Sequence, residues 1–137
     1  MTTIDIRLIR YLNLFERITG VSSKNCFFYN NSIFFAVPSF SVSKAIGENG
    51  RNVKRVSEIL GKNIKIVSLP RGINDAERFI RGIIEPITFK SLEVSQEAII
   101  IAASRQSKAS LIGRNKVRLE ELKKVVKDFF GKELKIV

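Results

Sequence analysis

Apolar residues recur at Leu8, Ile9, Leu12, Phe15 and Ile18, a three-and-four spacing that predicts a helix from Asp5 to Ile18, stopped by Gly20. Two short aromatic and β-branched runs follow, Cys26 to Tyr29 and Ile33 to Val37, divided by Asn30-Asn31-Ser32. That arrangement predicts a hairpin. Phe40 to Ile46 predicts a short helix, and Val53, Val56, Ile59 and Leu60 mark the apolar face of a longer one closed by Gly61. Asn63 to Val67 has the composition of a strand. The predicted order is α-β-β-α-α-β.

Leu69-Pro70-Arg71-Gly72 interrupts both periodicities, and the order then begins again. Asn74 or Asp75 is placed to cap a helix reaching Ile84, with Phe79, Ile80, Ile83 and Ile84 apolar and Pro86 beyond its end. Ile87 to Val94 and Ala98 to Ala103 predict strands around Ser95-Gln96-Glu97. A short helix to Ile112, a longer one from Val117 to Phe130 and a strand from Glu133 to Val137 complete the chain. The expected organisation is one module over residues 1–68, a linker over 69–73, and a second module over 74–137.

Internal repetition supports a duplication. Gly61-Lys62-Asn63-Ile64-Lys65-Ile66-Val67 returns as Gly131-Lys132-Glu133-Leu134-Lys135-Ile136-Val137, a shift of 70. Ile46-Gly47 returns as Ile112-Gly113, a shift of 66. The difference is about one helical turn, so the second long helix is expected to be one turn longer. Competing matches, such as Gly50-Arg51-Asn52 with Gly113-Arg114-Asn115, give a shift of 63. Periodicity decides between them. At 66 the apolar face falls on Leu119, Leu122, Val125 and Val126, whereas at 63 it falls partly on Lys116 and Lys123.

Between the adjacent helices of the first module lies Ile46-Gly47-Glu48-Asn49-Gly50-Arg51. Two glycines without Cβ atoms let a loop backbone approach another chain's backbone. The N–H groups opening the next helix then suit a phosphate. Phosphate contacts are expected from Gly47, Glu48, Asn49 and Gly50, with charge added by Arg51 and Lys54. Because the loop is expected to be exposed, carboxylates at both glycines should block phosphate without disturbing the fold. Ile46, Val42 and Val53 are either an apolar floor for bases or ordinary core. Phe27, Phe28, Phe34 and Phe35 are assigned to core.

In the second module the loop is Gly113-Arg114-Asn115-Lys116, with lysine where the first has its second glycine. Two readings stand. The loop has lapsed as a clamp, because a Cβ obstructs close approach, or Lys116 and Arg114 contact phosphate directly.

Charge narrows the partner. Among 137 residues, 24 Lys and Arg face 13 acids, a net charge of +11 and a pI near 10.2, which favours a polyanion. There is no histidine, no Walker-type Gly-Lys-Ser/Thr and no metal-ligand pattern, so an enzyme, a cofactor and a small-molecule substrate are not expected. The lone Cys26 allows no internal disulfide. With no membrane-length apolar run and no signal-peptide shape, a cytoplasmic setting is expected.

The order α-β-β-α-α-β with Gly-x-x-Gly between adjacent helices resembles the type II KH fold, here an α+β chain of two tandem modules. Each is expected to hold a three-stranded sheet with helices on one face. The pair, joined by a Pro/Gly linker in a short basic chain, is similar to the archaeal NusA-like proteins, relatives of the transcription termination and antitermination factor NusA. That resemblance implies single-stranded RNA held along Ile46–Arg51, and an association with the RNA polymerase elongation complex. Bacterial NusA adds polymerase-binding and S1 domains that 137 residues do not hold, so direct polymerase contact is not carried over. The alternative is a KH-containing structural or assembly subunit of a ribosomal or other ribonucleoprotein particle.

Overall fold

The computed structural model describes residues 5–137. They form an α+β chain in two compact units that divide between Leu69 and Pro70. Each unit has its own three-stranded sheet.

In the first unit α1 spans Ile6–Thr19, opened by Asp5, whose carboxylate accepts the Arg7 N–H at 2.9 Å. Strands β1 (Asn25–Tyr29) and β2 (Ser32–Val37) pair antiparallel. Asn30 and Asn31 turn between them at φ 50° and 60°, the left-handed pair that matches strand twist in a two-residue hairpin and that asparagine tolerates. A 3-10 turn (Ser39–Ser41) leads into α2 (Val42–Ile46), then α3 (Arg51–Leu60) and β3 (Asn63–Ser68). β3 lies parallel to β2, so β2 is central, which suits its uninterrupted apolar run.

The core lies between one sheet face and the helices. Phe15 of α1 stacks on Phe35 of β2 at 4.2 Å between ring centroids, among Ile33, Val37, Ile64, Ala45 and Val56. Val42 and Val53 are half-buried and pack against this cluster. Phe28 belongs to the same face, while Phe27 and Phe34 stack on each other at 5.1 Å. Ile59, expected on the apolar face of α3, is instead 54% exposed. The helix turns its Val53–Val56–Leu60 edge inward and leaves residue 59 at the border.

The second unit repeats the order: α4 (Ala76–Ile84), β4 (Ser91–Val94), β5 (Ala98–Ala102), α5 (Arg105–Ile112), α6 (Val117–Phe130) and β6 (Glu133–Ile136). β5 is central, antiparallel to β4 and parallel to β6. Phe79 of α4 meets Phe129 and Phe130 of α6 at 4.7 and 6.0 Å, and Ile99, Ile101, Leu122, Val125 and Val126 are buried. β4 begins at Ser91, later than the predicted Ile87. Residues 87–90 run irregularly, with the Arg81 guanidinium 3.9 Å above the Phe89 ring and the Lys90 N–H donating to the Ala102 carbonyl. Lys132 fastens the β4–β5 turn by donating to the carbonyls of Ser95 and Gln96 at 2.8 and 2.7 Å.

Candidate nucleic-acid interface

The segment between α2 and α3 is built from backbone conformations that glycine and asparagine supply. Gly47 sits at φ 81°, ψ 166°, a region almost reserved for glycine. Its N–H donates to the Ser43 carbonyl at 3.0 Å, closing α2. Asn49 (φ 56°) and Gly50 (φ 73°) are both left-handed, and the Gly50 N–H returns to the Gly47 carbonyl at 3.1 Å. Beneath this turn the Asn52 amide donates to the Lys44 carbonyl at 3.1 Å, tying the start of α3 to α2.

The two glycines are not equivalent. A Cβ on Gly47 would lie 2.9 Å from the Asn52 amide carbon and nitrogen and 3.0 Å from its backbone nitrogen, whereas one on Gly50 would meet nothing within 4 Å. The first glycine is required by packing and the second only by dihedral angle. A carboxylate at Gly47 would therefore disturb the fold, contrary to the expectation that both positions are free.

No side chain caps α3, in contrast to α1. The Arg51 N–H donates to the Glu48 carbonyl, and with no side chain over the helix start its dipole leaves a positive end there. A shallow groove beside this end is lined by Glu48, Asn49, Arg51, Lys54, Arg55 and Glu58. All six are exposed, and Arg51, Lys54 and Arg55 have no ion pair among the described residues. The structure thus brings together the predicted Gly47 to Arg51 and Lys54, with Ile46 half-buried behind them. Arg55 and Glu58 are added, and the spacing 51, 54, 55, 58 along one helical face was the signal for them.

The second loop follows the same path. Gly113 (φ 74°, ψ 174°), Asn115 (φ 57°, ψ 24°) and Lys116 (φ 62°, ψ 20°) match Gly47, Asn49 and Gly50 to within about 10–20°, the ordinary scatter of such elements. This sets the repeat at 66, and α6 with 14 residues against 10 in α3 supplies the extra turn. Gly113 is again held by packing, since a Cβ there would lie 2.7 Å from Cγ of Arg118. Lys116 thus takes a left-handed position that has room for a side chain in the first unit.

The charges around the two loops are exchanged. Glu48 and Gly50 correspond to Arg114 and Lys116, whereas Lys54 and Arg55 correspond to Glu120 and Glu121. The first unit sets a loop without net cationic excess over a cationic helix face. The second sets a cationic loop over a face whose two acids are paired, Glu121 with Arg118 at 2.6 Å and Glu120 with Lys123 at 3.7 Å.

The chain is similar, at 28% identity over 131 residues, to a probable transcription termination protein NusA of Halococcus morrhuae, covering 93% of this chain and 92% of that protein. A protein of the same description from Methanocaldococcus jannaschii is also 28% identical over 131 residues, covering 93% of this chain and 68% of its own length. A third, from Methanococcus vannielii, is 30% identical over 88 residues, 64% of this chain and 49% of that one. Among solved structures, the crystal structure of APE1850 superposes at a TM-score of 0.70 with 29% identity, covering 98% of this chain and all of that one. No family model matches the chain.

The two 131-residue matches and the superposed structure run through both units and both loops. No described helix is long and apolar enough to cross a membrane. Among the described residues no group of three or more His, Cys, Asp or Glu could hold a metal ion.

Proposed function

We propose that this chain is a non-catalytic protein that binds single-stranded RNA through two tandem type II KH modules, residues 1–68 and 74–137, and acts as a NusA-like transcription elongation, termination or antitermination factor. The observation that carries the reading is the loop made twice. Different residues at 50 and 116 adopt one left-handed conformation, each opening a helix that no side chain caps. Retention of that path across an exchange of surrounding charge speaks for a backbone that meets a ligand.

In this reading the backbone of Gly47, Glu48, Asn49 and Gly50 lies along the phosphates, and Arg51, Lys54 and Arg55 neutralise them. Glu48 turns to solvent. In the second module Arg114 and Lys116 provide charge-assisted contacts at the loop itself, beside Gly113 and Asn115. The names of the similar proteins point to transcription, and the polymerase elongation complex is the assembly in which such an RNA clamp would act.

Fluorescence anisotropy with labelled single-stranded RNA, duplex RNA and duplex DNA tests the reading. Single-stranded RNA should bind best, with log affinity falling against log salt by about 0.7 per phosphate neutralised. A preference for duplex, or an affinity that ignores salt, would overturn it.

A further inference from the structure

Phe40 leaves 87% of its surface open to solvent, the highest value among the exposed large apolar side chains of the described residues. It sits in the 3-10 turn Ser39–Ser41, which runs directly into α2. Helical spacing places Phe40 and Lys44 along one flank of Ser39–Ile46, leading to the Gly47–Glu48 turn. Phe40, Ser43, Lys44 and Glu48 are all exposed, while Ala45 on the opposite flank is buried.

The fold itself does not call for the ring. At the shift of 66 set by the two loops, Phe40 corresponds to Gln106, which is also exposed, on the first turn of α5. The second unit builds the same helix and loop with a polar residue there, so the aromatic is an addition made only in the first.

Phe40 and Gly47 are seven positions apart, about 11 Å along a 3-10 turn followed by α2. That is about three stacked nucleotides at roughly 3.4 Å each, within the ~4 nucleotides that such a loop engages. An exposed aromatic face beside a lysine, on one flank leading to a phosphate-suited loop in a chain of net charge +11, suits an unpaired base on an anionic strand.

We infer that Phe40 is a stacking platform for one unpaired base of the strand held at Gly47–Gly50, so that the first unit engages a base through a contact the second lacks. This rests on the RNA reading above and specifies a contact within it.

The test uses the full chain. Phe40→Ala and Phe40→Gln, the latter copying the second unit, should melt like the parent because the side chain is exposed. Each should weaken single-stranded RNA binding about 5- to 150-fold, the range for losing one base–aromatic stack. The salt slope should stay unchanged, since no phosphate contact is lost. The chain contains no tryptophan, so Phe40→Trp introduces a single indole fluorophore, whose emission should be quenched by RNA. Replacing nucleotides singly by abasic ones should weaken the parent at one position and leave Phe40→Ala indifferent there. Unchanged affinity in Phe40→Ala with unquenched Phe40→Trp would overturn the stacking site while leaving the RNA reading intact, and would point to Phe40 as an anchor for protein. If the parent itself binds no single-stranded RNA, both fall.

Discussion

The two glycines of the first loop should respond to the same substitution in different ways. At Gly47, Ala would have to adopt φ 81°, ψ 166°, which costs about 1–3 kcal/mol for a residue with a side chain. Its Cβ would also press on Asn52 at 2.9 Å, an overpacking of about 1–3 kcal/mol. Displacing the Asn52 amide from the Lys44 carbonyl removes a hydrogen bond worth ~1 kcal/mol. The expected sum is about 3–7 kcal/mol. At Gly50 the Cβ is unopposed, leaving a left-handed penalty of about 1–2 kcal/mol. Reduced freedom of the unfolded chain offsets that by about 0.4–1 kcal/mol. Gly50→Ala should therefore cost about 1 kcal/mol. Lys116→Gly, the reverse exchange in the second unit, should be neutral or stabilising by up to ~1 kcal/mol. In a unit of this size each kcal/mol moves the melting temperature by about 4–8 °C, so circular dichroism melts resolve the three variants. Equal losses for Gly47→Ala and Gly50→Ala would refute the assignment of a packing role to the first glycine alone.

Lys116→Glu should weaken single-stranded RNA binding about tenfold and lower the salt slope by about 0.7, whereas a change within twofold at constant slope would return the second loop to the lapsed reading. Burial pushes the Cys26 thiol up to about 12, so alkylation at pH 8 should be slow until the chain is unfolded, and rapid labelling of the folded protein would contradict that burial. Because the folded value lies above the unfolded one, the contribution of the neutral thiol is whole below about pH 8.5 and is lost as pH climbs toward 12, which a pH series of urea melts would register. Phe15→Ala, deleting the ring stacked on Phe35, should cost about 3–5 kcal/mol, while a loss below ~1 kcal/mol would mean that the first core lies elsewhere.

Much of the architecture was legible because long amphipathic segments and turn residues agree. The stripe ending at Ile18, the Asn30-Asn31 turn and the repeated strand after Gly61 and Gly131 each have one strong local signal. The repeat shift was legible too, since only 66 keeps the second helix apolar on one face. Other features depend on what surrounds a residue. Ile87 and Phe89 alternate with polar residues as a strand does, yet Phe89 is engaged by Arg81 before pairing begins. The exposure of Ile59 and Phe40 follows from which edge of a helix turns inward, and periodicity leaves a border residue undecided. The unequal roles of Gly47 and Gly50 reside in the position of Asn52, a contact that no spacing announces. Arg55 and Glu58 were within reach of a helical-face argument that stopped at Lys54.

The central claim is that one backbone path, made at residues 47–50 and again at 113–116, meets a strand of RNA. Amide chemical shifts of isotope-labelled protein, followed during titration with a short single-stranded RNA, test it most directly. The account predicts that the largest perturbations fall on Gly47 to Lys54, with a second set on Gly113 to Val117, and that both collapse together as salt is raised. Perturbations confined to other surfaces, or none at saturating RNA, would contradict it.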